Sequence, residues 1–261
     1  AGSAEARVAA DPLGGIHLGW LDVAGYNIDQ LTYRVWRDGQ WSAPETPLAA
    51  PEQSFDFMGW GAGPNGQPQA LLGSGQQLIY LRREVAGWSA PEIRTLSAHY
   101  ATASMILDAS GAPHVAYMDA APNRVYNVFH TMRNPTGEWT TGINLSQSAY
   151  WGYNGSLASD PLGNVHAIWQ FSTEKGDGSS RPADLGYAGP LPGTAAGDSR
   201  LSQTVAVPAN MAHPTLSFLY ASVGALKLTV GDAPAVTLPP SPAGMRHTWL
   251  PLPDAAGEDV T

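Results

Sequence analysis

A chain that repeats itself buries a core by stacking its copies, and this chain repeats. Four segments align: Asp11-Pro-Leu-Gly-Gly-Ile-His17-Leu-Gly-Trp20, Gly63-Pro-Asn-Gly-Gln-Pro-Gln69-Ala-Leu-Leu72, Asp108-Ala-Ser-Gly-Ala-Pro-His114-Val-Ala-Tyr117 and Asp160-Pro-Leu-Gly-Asn-Val-His166-Ala-Ile-Trp169. They share the pattern D-x-x-G-x-x-H-x-x-[WY], degraded in the second copy, where Gln69 stands in place of the histidine. The first positions lie 52, 45 and 52 residues apart. That is close to the period of about 40–50 residues found in propeller blades.

A second element follows the first three copies. It is an aromatic strand and then a tryptophan turn: Tyr33 with Gly39-Gln-Trp41-Ser-Ala-Pro-Glu45, Tyr80 with Gly87-Trp88-Ser-Ala-Pro-Glu92, and Val125–Phe129 with Gly137-Glu-Trp139-Thr. Tyr33 to Trp41 and Tyr80 to Trp88 are both eight residues apart. Each repeat reads as four short strands. The first precedes the Asp (Ser104–Leu107, Ser156–Ser159) and the second carries the His and the aromatic (Val165–Gln170). The third carries the Tyr, and the fourth begins at the Trp. In the D-x-x-G turn, Asp bonds local backbone and Gly accepts positive φ. Four antiparallel strands repeated radially make a propeller blade, with the equivalent aromatics packed between neighbours.

Composition agrees. Gly and Pro make about a fifth of the chain, a level at which disorder is a concern. Nine Trp, ten Tyr and five Phe argue for an ordered all-β protein with many turns instead. The net charge of −9 disfavours nucleic acid as a partner, because phosphates call for Lys/Arg stripes. The chain has no cysteine, which excludes disulfides and thiolate chemistry. No apolar run approaches the roughly 20 residues needed to span a bilayer.

The Asp turn, the G-x-x-H-x-x-W strand and the G-W-S-A-P-E turn resemble the BNR/Asp-box sialidase-like β-propeller repeats of bacterial extracellular proteins, over roughly residues 5–190. The Asp-box proper is matched in part, since the Gly here lies three residues after the Asp. The resemblance implies a secreted or cell-surface location in a bacterium. It implies blades that serve glycosidases and non-catalytic modules alike. A sialidase would need three arginines on the substrate carboxylate, and Arg34, Arg82, Arg83 and Arg133 occupy no such triad.

The fourth copy breaks down after Asp184–Tyr187, and its Trp turn is replaced by the linker Gly189–Gly197. This sets a division into blades over 1–190, a linker over 191–200 and a further segment over 201–261. Leu201–Val207, Pro214–Tyr220, Ala225–Val230 and Thr248–Leu252 read as strands of a β-sandwich that resembles a jelly roll. Ala256–Thr261 reads as the start of one more strand, so the sandwich is expected to lack its last strand. The expected architecture is three and a partial fourth blade plus this sandwich. Its exposed edges suggest a fragment of a longer chain, or completion by neighbours through homomeric strand donation.

The repeat residues Asp11, His17, Trp20, Trp41, Trp88, Asp108, His114, Trp139, Asp160, His166 and Trp169 are expected to be structural. Each imidazole is expected to bond the next blade, since radial repetition does not converge histidines on one metal. No metal or other cofactor is expected. Gly59–Gly63 has alternating glycines with no helix behind it and reads as a turn. Loops between blades and between strands two and three should open on one face. That face collects Trp60, Tyr100, Tyr150, Trp151 and Tyr153 with Asp56, Asp119, Asn123, Glu174 and Asp177. Aromatic platforms beside polar groups suit sugars. Asp56, Asp119 and Glu174 are also the carboxylates a glycosidase would draw on. Three functions follow as expectations: a non-catalytic module binding glycan or protein, a sialidase-like hydrolase completed by further blades, and a structural subunit assembling through open edges.

Overall fold

The computed structural model describes residues 2–24, 27–50, 53–98, 101–121, 125–148, 151–160, 163–172 and 183–191, and beyond these 205–207, 214–220, 226–230, 235–239, 246–252 and 259–260. The described residues are all-β, and among them no helix is long and apolar enough to cross a membrane. Blade one comprises β1 (Gly2–Ala10), β2 (Ile16–Ala24), β3 (Asn27–Arg37), β4 (Gln40–Trp41) and β5 (Glu45–Ala49). Blade two comprises β6 (Asp56–Ala62), β7 (Pro68–Ser74), β8 (Gln77–Glu84), β9 (Gly87–Trp88) and β10 (Glu92–Thr95). Blade three has β11 (Ala103–Leu107), β12 (Pro113–Ala120), β13 (Tyr126–Met132) and β14 (Ile143–Asn144). Blade four has β15 (Gly152–Ser159), β16 (Val165–Ser172) and β17 (Ala183–Ala188). All are antiparallel meanders, each a separate sheet. The first strands β1, β6, β11 and β15 are neighbours in that order, which sets the blades side by side.

The D-x-x-G turn forms as its chemistry requires. Asp11 Oδ1 accepts from the Leu13 and Gly15 amides at 2.8 Å, and Asp108 Oδ1 from those of Ser110 and Ala112 at 2.9 Å. The glycine three residues on has φ of +85°, +73°, +85° and +82° at Gly14, Gly66, Gly111 and Gly163, a region L-residues rarely enter. The tryptophan belongs to a tight turn, whereas the expected fourth strand begins only at Glu45 and Glu92. Trp41 and Trp88 pair back with Trp36 and Arg83, and Trp139 bridges Arg133. The next hydroxyl, Ser42, Ser89 or Thr140, accepts from the amide of Val35, Arg82 or Met132 at 3.1–3.2 Å.

The core lies between blades, in three clusters. Leu21 and Leu31 meet Phe57, Leu72 and Leu81; Leu71 and Tyr80 meet Met105, Val115 and Tyr117; Ala116 and Val128 meet Leu157, Trp169 and Leu191. Leu191, expected at the start of the linker, is buried, and its amide donates to the Val165 carbonyl at 2.8 Å. Gly59–Gly63 is mostly strand, not a turn. A Cβ at Gly61 would meet Leu107 of the next first strand at 3.0 Å, so glycine permits the close approach there.

Beyond the blades lie β18 (Val205–Ala206), β19 (Thr215–Tyr220), β20 (Leu226–Leu228), β21 (Val236–Leu238), β22 (Arg246–Pro251) and β23 (Asp259–Val260). They pair β18 with β23, β19 with β22 and β20 with β21, a nested order of first with last. Val260, read as the start of an unfilled strand, pairs with Val205 of the same chain.

Candidate functional site

The aligned residues of the repeat meet within each blade. His17 Nε2 lies 2.8 Å from Asp11 Oδ2, and His17 Nδ1 lies 2.8 Å from the Tyr33 hydroxyl. Blade four repeats this, with His166 Nδ1 2.7 Å from Tyr187 and Nε2 3.3 Å from Asp160. In blade three, His114 Nδ1 instead meets His130 Nε2 at 3.0 Å. In blade two, the Tyr80 hydroxyl donates to Gln69 Oε1 at 2.7 Å. The expected partner is corrected. The histidines bond their own blade because the strand-three aromatic sits diagonally across the β2–β3 pair, within reach of the ring. Only the substituted Gln69 reaches the next blade, donating to the Gly111 carbonyl at 2.8 Å.

Burial, opposed by the Arg83 guanidinium, pushes the Tyr33 phenol up to about 12, and burial raises Tyr80, Tyr117 and Tyr187. Burial pushes Asp11 upward, but bonds from His17 and the Gly15 and Leu13 amides, with the Arg37 charge, hold it below the usual carboxylate value. An ionised carboxylate only accepts, so Nε2 of His17 donates to it, and Nδ1 shares the second bond with the Tyr33 hydroxyl. This chain has the order of a catalytic relay. Its end, Tyr33, is 2% exposed, so it has no surface on which to meet a substrate. Burial lowers His114 despite the Asp108 charge, and burial with the His114 charge lowers His130 to about 4.

A second constellation joins blades. Glu45 accepts from Trp88 Nε1 at 2.9 Å and from Arg83 through two bonds of 3.1 Å. Glu92 accepts from Trp139 Nε1 at 2.7 Å and from Arg133 at 3.0 and 3.3 Å. Tyr33 stands edge-on to Trp88 at 5.3 Å, and Tyr80 edge-on to Trp139 at 5.1 Å. The glutamate of one blade thus clamps the tryptophan and arginine of the next. Arg83 and Arg133, scattered in the sequence, occupy one structural position, and bidentate pairing suits the planar guanidinium.

The loop face holds part of the expected set. The Gly75–Gln76 turn accepts from Ala101 and Leu96, so blade connectors and strand-two/strand-three loops gather at one end. Trp151 is 42% exposed there and stands edge-on to Tyr126 at 5.1 Å. Tyr153 pairs with Gln170, and a bulge follows it in which Asn154, at φ +54°, donates to Gln170 at 2.9 Å. Bulges commonly re-aim side chains beside sites. Asp56 is exposed at the start of β6.

Two expectations are corrected. Trp60 lies inside β6, packed against Gly19, Tyr33 and Trp88, with its indole donating to the His17 carbonyl at 3.2 Å. It is a blade-to-blade wedge, placed by the strand that Gly59 and Gly61 continue. Asp119 lies on β12, not in a loop, and its Oδ1 accepts from Ser97, Ala98 and Ala120. It ties a connector down because three amides converge on it. Tyr100, Asn123, Tyr150, Glu174 and Asp177 lie outside the described residues. No cluster of three or more metal-ligating side chains exists among the described residues.

No protein-family model matches the chain, and no curated protein matches it. Solved structures resemble it. A protein of unknown function from Dyadobacter fermentans is 13% identical, with 84% of this chain and 75% of that one covered and a TM-score of 0.48. A polysaccharide lyase, an ulvan lyase bound to a GlcA–Rha3S saccharide, is 15% identical at TM-score 0.47; the match covers 71% of this chain and 52% of that one. An α-L-arabinofuranosidase from Fusarium graminearum, with an iminosugar inhibitor, is 11% identical at TM-score 0.47, with 71% of this chain and 61% of that one covered. At these identities and scores the likeness assigns no residue a role.

Proposed function

We propose that the chain is a non-catalytic carbohydrate-binding module of a secreted or cell-surface protein, with its ligand on the loop face around Trp151. The observation that carries this reading is an exposed indole held edge-on by Tyr126, with Asn154 and Gln170 at a bulge of the same blade. Sugar C–H faces stack on such rings while hydroxyls bond amides. A fixed aromatic loses little conformational freedom on binding, which leaves more of its contact energy as affinity. Asp119, one of the three carboxylates a glycosidase would draw on, is occupied by backbone amides. The BNR/Asp-box affinity of the repeat belongs to the same reading. So does a separate jelly-roll module over 201–261, which the nested pairing of β18–β23 supports.

A glycan array probed with the whole chain, followed by titration of the best sugar, tests this. Trp151→Ala is expected to weaken binding at least tenfold with the fold unchanged. No sugar bound at millimolar concentration would remove the reading. Release of reducing ends from the bound glycan would replace it with a hydrolase.

A further inference from the structure

The clamp between blades has a half that stands open. Trp41 occupies in blade one the position of Trp88 and Trp139, paired back to strand three by the same turn. Its indole N–H has no acceptor among the described residues, and the side chain is 45% exposed. Trp41 lines a cavity of about 460 Å³ with Ala6, Leu18, Trp20 and Arg34. Leu18 and its cross-strand neighbour Arg34 have as counterparts Ala70 and Leu81 in blade two and Val115 and Thr131 in blade three, all buried. Leu72, Tyr117 and Trp169, the equivalents of Trp20, are all buried against the preceding blade. Val8 and Ile16 on the same side are exposed. In blade one only the side of His17, Gly19 and Leu21 is buried, whereas β7 of blade two is buried on both.

We infer that this side of blade one is a docking face for a further blade of the same repeat, one that brings a strand-three tyrosine and an outer-strand glutamate to Trp41. The occupant is specified by the two filled interfaces, where the tryptophan meets that tyrosine edge-on and donates to that carboxylate. Arg34 stacks over Trp41 at 5.7 Å and places positive charge beside the expected carboxylate. Trp36 stands where Arg83 and Arg133 stand, so the indole and not a guanidinium carries the bond. Among the described residues a second copy offers Trp41 no free outer-strand glutamate, since Glu45 and Glu92 are engaged, and the outward side of its blade four presents Ile168 and Leu185.

A tandem protein with residues 1–102 placed ahead of the whole chain sets a blade bearing Tyr80 and Glu92 before blade one. The Trp41 indole N–H resonance is assigned by its absence in Trp41→Phe. Its exchange with water should slow at least tenfold in the tandem protein, and Glu92→Gln in the added copy alone should restore it. Unchanged exchange would overturn the inference. So would added blades that stay unfolded beside an intact single-chain spectrum, since they would have found no seat. A dimer of the single chain abolished by Trp41→Ala would show a second copy as the occupant instead. A glycan whose binding is lost in Trp41→Ala and kept in Trp151→Ala would show the cavity to be a sugar site.

Discussion

Blades two and three are joined differently from blades three and four. At the first interface an apolar cluster is reinforced by Glu92, which receives Trp139 and Arg133 while Tyr80 packs on the indole. At the second, no such glutamate clamp accompanies the cluster around Trp169 and Leu191 among the described residues; the Tyr126–Trp151 contact and the Leu157 amide's bond to Ser104 are the added links. The difference is coordinated. Ile143 lies four residues after Trp139, where Glu45 and Glu92 follow Trp41 and Trp88; His130 replaces the tyrosine; and the tryptophan turn is missing from blade four. Leaving one partner of such a bond buried costs about 1–3 kcal/mol, so the halves of the clamp are kept or lost together. The sheet packing is therefore the general join, and the clamp is an addition made where both halves persist.

Substitutions separate the two joins. Trp169→Ala, at 1% exposure in the unclamped interface, should cost about 3–5 kcal/mol in chemical denaturation. A loss below 1 kcal/mol would mean that the cluster does not hold blade four. The second effect is one of pH. His114 and His130 are both held below their ordinary values when folded, so the unfolded chain binds more protons as pH falls below about 6.5. Stability should be present above that pH and decline toward pH 4, by up to about 1.4 kcal/mol per unit for each proton taken up. His130→Tyr, which gives blade three the partner found in blades one and four, should flatten that slope. Third, Glu92→Gln should cost about 2 kcal/mol, because the Arg133 side chain is only 11% exposed. Glu45→Gln should cost about 1 kcal/mol, since Arg83 is 37% exposed and water takes over part of its bonding. Equal costs would show that burial does not set the strength of the clamp.

The repeat was legible because its signals are local. The Asp turn and its glycine are closed within five residues, and the Trp-Ser cap reaches strand three only seven residues back. The clamp was not legible, because Glu45 and Trp88 are 43 residues apart and meet only when two sheets face each other. His130 was missed for another reason. Matching by aromatic type aligned Phe129 with Tyr33, whereas the register pairs Ala116 with His130 as Gly19 pairs with Tyr33. The four-residue turn at Asn134–Gly137 absorbs the extra length before Trp139. Trp60 was placed on the loop face by its glycine neighbours, which instead let a strand run close to Met105 and Leu107. On that face Trp151 is exposed and Tyr153 half-buried; the Asn154–Gln170 pair was not legible, since it depends on a bulge. In the last segment, β21 was not expected, because three residues carry too little alternation to read as a strand.

The most direct test is a double-mutant cycle on Glu92→Gln and Trp139→Phe, measured by urea denaturation. If the glutamate and the indole act together across the interface, the cycle should show a coupling of about 1 kcal/mol. Additive costs, within about 0.3 kcal/mol, would contradict the clamp and leave apolar packing as the sole join between blades.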